Sequence, residues 1–532
     1  MGLMPRPAAG EADLPTTISV AGNQSPALPS RAYSGYALTV LSVVAFLNYF
    51  DRNMMTILAE EVKRHLGLTD TQVGVLYGTA FSVFFAVVGI PMGRISDRVS
   101  RTRLLALSMV LWSAMTVVSG LATTFLILAF SRVGVGLGEA AANPCGNSLL
   151  ADYFPKHRRA FAIGIYNAGV VVGGACALIA GGMVVRHWPA LCGALGACGI
   201  AGWQAAFLIA GLPGLLLSLV VITLREPPRP TPPTGSLGRV IVAEFSASVF
   251  PLTLLSAWRS GGAAAVRSNL TLLAAIVAGG TLLAILTGDH LQWALVAIGG
   301  YSIGSWIEGI RRRDLPFFRL TFGDRTYVLT LGGMAITTIL AASVEFWGAP
   351  HAIRNLGMNA QEAGVWIGAI VSIGSIIGIV SGGIITDWWR RRDERAPMWM
   401  TLLAVLLTAP FSLLLFLTKD RTVFLVAFFF QALFSHIWSG GAGAFVQDMV
   451  LQRMRGAAIA GFSLVIIMTA LTIGPYWVGR ISTATGSLPL SIVSIHILLP
   501  VAVLLLVAAA RQMRGTDDES RLRLARAAGE PV

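Results

Sequence analysis

Apolar runs about as long as a membrane is thick recur along this chain, and they limit its fold more than any other feature. A helix crossing a hydrocarbon core of about 30 Å needs about 20 mostly apolar residues. Runs of that kind fall near 34–58, 71–92, 104–122, 124–151, 160–184 and 202–224. They resume near 326–348, 362–386, 397–417, 422–449, 456–479 and 488–510. Two more lie between the sets, near 269–287 and 291–309. The expectation is an all-α polytopic membrane protein: two six-helix bundles plus an inserted transmembrane hairpin, about 14 spans in all. Only 12% of residues are charged, against about 25% in soluble domains, so a large soluble core is excluded. Residues 240–258 are apolar but broken by Glu244 and Pro251. They read as a helix lying at the interface, because a crossing there would invert the second half.

Charge placement tests this count. The net charge of +13 could point to nucleic acid. With the N terminus in the cytoplasm, however, most of the 39 Lys and Arg residues fall in cytoplasmic loops, as the positive-inside rule requires. The basic balance then needs no nucleic-acid partner, and both termini are cytoplasmic. The segments are a cytoplasmic tail at 1–32, a first bundle at 33–226, a linker with the hairpin at 227–320, a second bundle at 321–511 and a tail at 512–532. The Pro-, Ala-, Gly- and Ser-rich first tail reads as disordered and lacks a signal-peptide pattern. No Cys/His spacing suggests zinc and no phosphate loop is present, so neither metal nor bound cofactor is expected. The hairpin is expected to be an accessory outside the transport path.

A repeat is visible within the chain. "GRISDRVSRTR" at 93–103 and "GIITDWWRRRDER" at 383–395 both place Gly four residues before Asp, ahead of a basic cluster. "ADYFPKHRRAFAIG" and "QDMVLQRMRGAAIA" form a second echo in the same order. Two parallel halves about an axis along the membrane normal follow, an architecture that places a substrate site between the halves near the midplane. Gly93, Asp97, Arg98, Arg101 and Asp387 are candidates for a gating clasp; alternatively, the arginines only set topology.

The duplicated loop resembles the signature of the major facilitator superfamily. Within it, "NYFDR", "SRVGVGLGEA" and "LLADYFPKHRRAFAIGIYNAG" resemble the Spinster family, well over residues 44–182 and thinly in the second half. The resemblance implies proton-coupled transport of lysophospholipid or sphingoid-phosphate cargo. Anion:cation symporters for organic acids share the N-Y-x-D-R helix and the "FPK…RA" loop. The hairpin is similar in placement to that of proton-coupled peptide transporters, with no peptide-transporter motif elsewhere.

Asp51 and Arg52 interrupt the first apolar run. Asp51 lies about 24 Å along that helix at 1.5 Å per residue, inside the membrane. Arg132 and Glu139 are seven residues apart in the fourth run, close to two turns and so on one face. Ionisable groups within spans face a bundle interior or a water-filled cavity, and mark transport pathways. A carboxylate whose Arg partner comes and goes can load and release a proton. Asp51 and Glu139 are therefore expected to be proton-linked switches, with Arg132 as their modulator or as a ligand for a substrate anion. The other reading is a fixed ion-pair knot. Arg52 either snorkels to the outer headgroups or pairs with the neighbours of Asp51. The Spinster resemblance implies the switch roles at Asp51, Arg132 and Glu139.

Weaker signals remain. Tyr77, Tyr166, Asn167, Glu345 and His436 are candidates for the cavity. Glycines in "GVGLG" and "GVVVGGACALIAGG" suit close helix packing. Cys192 and Cys198 could form a disulfide in an outer loop. "HLGLTD" at 65–70 matches the His-x4-Asp pattern of lipid acyltransferases, but no partner motif accompanies it and no enzyme activity is expected. The favoured function is a monomeric proton-coupled transporter of a lipid-like anion in a bacterial inner membrane, among membrane lipids and driven by the proton gradient. The alternative is a proton-coupled organic-acid transporter. A scramblase or receptor would not need the carboxylate pair.

Overall fold

The computed structural model describes residues 29–195, 199–227, 241–242, 244–246, 248–513 and 518–527. All regular elements among them are helical. The first half runs α1 (Arg31–Leu66), α2 (Asp70–Ser96), α3 (Arg101–Gly120), α4 (Phe125–Tyr153), α5 (Phe161–Ala194) and α6 (Gly202–Val221). The hairpin is α7 (Leu252–Thr287) and α8 (His290–Arg313). The second half runs α9 (Arg325–Leu356), α10 (Ala360–Arg390), α11 (Ala396–Leu417), α12 (Arg421–Asp448), α13 (Gln452–Thr485) and α14 (Leu488–Gln512).

Thirteen of these helices are long and apolar enough to cross a membrane; α8 falls short on composition. The physical reason is its polar face. Gln292, Tyr301, Ser302 and Ser305 are buried against its neighbours, where a polar side chain can find a partner. The helix nonetheless packs along α7. Local chemistry explains the turns. Gly67 and Gly486 end α1 and α13 at φ +64° and +68°, a left-handed cap that other residues adopt at a cost. The Thr69 hydroxyl and Gln72 side chain form a capping box at the start of α2, supplying acceptors to otherwise unpaired N–H groups. Residues 252–260 form a short arm ahead of a kink at Gly261 and Gly262, the latter at φ +61°. Part of the expected interfacial helix, at residues 240, 243 and 247, lies outside the described residues.

Because successive helices alternate in direction, α1 begins and α14 ends at one end of the bundle, the termini-bearing end, and a distal end lies opposite. The halves meet closely toward the distal end. A Cβ on Gly364 of α10 would collide with the carbonyl of Leu178 on α5, and one on Gly182 with that of Ala360. On the other side, a Cβ on Gly74 of α2 would lie 2.5 Å from the Pro475 carbonyl of α13. In hydrocarbon, helix association rests on such close packing rather than on the hydrophobic effect. One apolar cluster joins Leu58, Tyr77 and Leu178 of the first half to Trp347, Ile367 and Val478 of the second. Toward the termini-bearing end, largely separate clusters form around Trp112 and Tyr153 and around Tyr327 and Phe445. The distal end is therefore closed.

Candidate functional site

The charges in the middle of α1 and α4 come together. Asp51, Arg52, Arg132 and Glu139 are each at most 8% exposed. Neighbours in sequence, Asp51 and Arg52 point about 100° apart around the helix, toward different partners. Asp51 Oδ2 accepts from Thr116 Oγ1 of α3 at 3.4 Å. Arg52 donates to Glu139 Oε2 through Nε at 3.0 Å and Nη2 at 2.6 Å. Its guanidinium also lies over the rings of Tyr49, Phe81 and Phe85, at 4.6, 4.7 and 5.0 Å. Arginine holds its charge in such a place, and the ring faces help to replace water.

Of the two readings of Arg52, pairing beside Asp51 is the one the structure has. Arg52, not Arg132, is the partner of Glu139, and it does not snorkel. The guanidinium of Arg132 is wholly buried, and none of its three nitrogens hydrogen-bonds to a described residue. Phe81 is the ring nearest to it, at 5.6 Å. Asp51 Oδ1 and Glu139 Oε1 are likewise without a partner. Unmet hydrogen bonds on buried charged groups are costly, and this cluster gathers several of them among the described residues.

The second-half candidates also meet. Glu345 Oε1 of α9 lies 3.9 Å from His436 Nε2 of α12. His436 Nδ1 is 2.9 Å from the Ala432 carbonyl. A proton on Nδ1 satisfies that contact and leaves Nε2 facing Glu345. Between the two charge groups, Tyr77 stacks on Phe346 across the halves at 3.9 Å. Tyr166 is buried and donates to Asn143 Oδ1 at 3.3 Å, whereas Asn167 is exposed. Among the described residues no group of His, Cys, Asp and Glu could hold a metal.

At the termini-bearing end, the two sequence echoes turn out to be opposite ends of one contact in each half. Arg101 Nη1 donates to Asp152 Oδ2 at 2.6 Å, and its Nε donates to Glu226 Oε1 at 2.8 Å. In the second half, Arg390 binds Asp448. Arg94 and Arg98 instead reach Glu244 at 3.4 and 3.3 Å. The Asp97 side chain lies outside the described residues. Asp387 is exposed with no basic partner among them, and Gly93 faces open space. Burial alone would raise the Glu226 carboxyl, but the Thr102 N–H and the Arg101 guanidinium outweigh it and hold the group below the ordinary glutamate value of 4.5. A carboxylate lowered in the folded state stabilises above its ordinary value and loses that contribution as pH falls through the lower one. Thermal unfolding of Glu226→Gln beside the unmodified protein should show a gap that is constant from pH 7 to 5. The gap should shrink only below about pH 4.5.

Sequence reasoning missed the distal latch. Asp70, dismissed with the acyltransferase-like stretch, accepts from Arg354 at 2.8 and 3.0 Å, from Lys63 at 2.6 Å and from Ser482 at 2.6 Å. His65 of the same stretch accepts from Trp203 Nε1 at 2.8 Å, so the two side chains have different partners. Cys192 is disulfide-bonded, while Cys198 lies outside the described residues and Cys145 and Cys176 are in no disulfide.

Residues 41–392 match the family model described as Major Facilitator Superfamily. The chain belongs to that superfamily. Among its superfamily relatives is an MFS-type efflux pump of Mycolicibacterium smegmatis, 26% identical over 93% of this chain and 96% of that protein. A hexuronate transporter of Bacillus subtilis is 24% identical over 84% and 87%. The likeness to Spinster proteins is present too. The sphingosine-1-phosphate transporter SPNS2 of Xenopus tropicalis is 23% identical over 88% and 79%. A crystal structure of a bacterial homolog of the human lysosomal transporter Spinster superposes with a TM-score of 0.69 at 23% identity, covering 91% of this chain and 98% of that one. A POT family transporter reaches 0.61 at 14% identity, over 90% and 97%. At such identities both structures speak for the fold.

Proposed function

We propose that this superfamily member is a proton-coupled transporter that moves an amphiphilic, lipid-like anion by alternating access between its halves. The observation that carries the reading is Arg132: a buried guanidinium without a hydrogen-bond partner among the described residues, beside two carboxylates that each keep one oxygen unpaired among them. An anionic headgroup reaching Arg132 offers the hydrogen bonds it lacks. The Arg52–Glu139 pair and Asp51 lie close enough to feel that added charge, which couples anion binding to protonation. The largely apolar surroundings of the cluster suit an acyl tail more than a polyol. The closed distal end and the basic loops at the other end support a state open to the cytoplasm, with both termini there and the chain in an inner membrane.

Small organic acids are the second reading, favoured by the hexuronate relative and by the fact that Arg132 would serve any carboxylate. Proteoliposomes holding a pH-sensitive dye separate the two. Lysophospholipid is expected to trigger proton flux that small sugar acids do not, and Asp51→Asn should abolish it. Flux triggered only by sugar acids would replace the lipid reading. Flux unchanged in Asp51→Asn would remove that carboxylate from the coupling.

A further inference from the structure

The hairpin is not confined to the perimeter of one half. It lies over the seam between α2 and α13, and its buried polar side chains reach both helices. At the hairpin tip, Asp289 Oδ2 accepts from Tyr476 Oη of α13 at 2.8 Å and lies 3.3 Å from Arg480 Nε. Arg480 Nη2 also donates to the Thr287 carbonyl at 2.6 Å. About one turn further along α8, Gln292 is 1% exposed. Its Oε1 accepts from Thr79 Oγ1 of α2 at 2.5 Å, and its Nε2 donates to the Thr472 carbonyl of α13 at 3.3 Å. Thr79 is the last residue of a π-helical turn, Val75–Thr79, an irregularity that often marks functional positions. Beyond it, Gly299 of α8 faces Met468 of α13 and Val83 of α2.

We infer that the hairpin is a state-selective brace that holds α2 against α13 at the distal end and so favours the termini-open conformation. Each polar end of Gln292 is satisfied by a different half. When α2 and α13 separate, one of those bonds is lost whichever half the hairpin follows. A buried amide without its partner is costly in low dielectric. The contacts of Asp289 hold the tip to α13, and Arg94 of α2 and Arg98 just beyond it hold Glu244 just ahead of the hairpin. The brace is therefore anchored to both halves. A simple accessory helix pair would need no polar group placed between them.

The inference rests on the alternating-access reading, and its test keeps the two apart. Spin labels on Leu121→Cys and Leu417→Cys, both exposed at the distal end of opposite halves, would be placed in a background lacking Cys145 and Cys176. Distances would be measured in the full chain in lipid nanodiscs, with and without Gln292→Leu. Leucine nearly matches the shape, and Thr79 can turn its hydroxyl to the Thr472 carbonyl, 3.3 Å away. The distal-open population is expected to rise about tenfold. Gln292→Glu, which keeps the acceptor for Thr79 but loses the amide donor, should move it the same way. Two populations whose ratio ignores both substitutions would overturn the brace alone. A single distance in every sample, at all pH values, would overturn alternating access and the brace with it.

Discussion

Glu139→Gln is expected to abolish gradient-driven transport while lowering thermal stability only slightly. The reasoning turns on what state the glutamine imitates. If Glu139 takes a proton in each cycle, the neutral acid beside Arg52 is a state the protein already visits and tolerates. Glutamine copies that state and keeps an oxygen for the Arg52 nitrogens, now at 3.0 and 2.6 Å from the carboxylate. The three rings around the guanidinium remain. A fixed knot predicts otherwise. Removing one member of a buried ion pair leaves an uncompensated charge at a cost of about 3–5 kcal/mol, and Arg52 cannot shed its proton. The knot therefore predicts a large loss of thermal stability, with transport falling only because the protein unfolds. The decisive measurement is the pair of readings on one preparation. A stable Glu139→Gln protein that still exchanges substrate without a gradient but cannot accumulate it supports the switch. A melting temperature that collapses supports the knot.

The sequence carried the architecture because membrane spans are written in composition. Run lengths and loop charges gave both six-helix sets, since hydrocarbon thickness and backbone satisfaction leave few options. Asp51, Arg132 and Glu139 stood out for the same reason: a charge in a span is rare. Their pairing was not legible. Whether Arg52 or Arg132 faces Glu139 depends on the rotation of α1 against α4, which spacing within either helix does not fix. The loop echoes were visible as repeats, yet their meaning lay in contacts between them, Arg101 with Asp152 and Arg390 with Asp448. Asp70 was hidden because it sits at a helix end, where a charge is ordinary. Gln292 was hidden because an uncharged amide scarcely disturbs a hydropathy count, although its two partners lie on helices of opposite halves.

Asp70→Asn is expected to shift the protein toward a distal-open state by about two orders of magnitude. Asp70 belongs to α2 and is 4% exposed. It binds Arg354 of α9 through both oxygens and Ser482 of α13 through Oδ2. Every one of those bonds crosses between the halves, and opening the distal end breaks them together. Hydrogen bonds to a charged partner contribute about 1.5–3 kcal/mol each, and their loss falls on the closed state alone. Asparagine keeps one acceptor but not the charge, so about 3 kcal/mol is a reasonable net change. The neighbouring Glu60–Arg354 pair spans the same seam but is more exposed, with side chains 22% and 28% accessible. Glu60→Gln should therefore change the population by less than about fivefold. The distal label pair reports all three variants. Asp70 and Gln292 share no partner, so Asp70→Asn and Gln292→Leu should add in free energy when combined. A sub-additive result would mean that the latch and the hairpin act through one rigid contact of α2 with α13. Equal effects of Asp70→Asn and Glu60→Gln would show that total charge at the distal face, rather than the buried latch, sets the closed state.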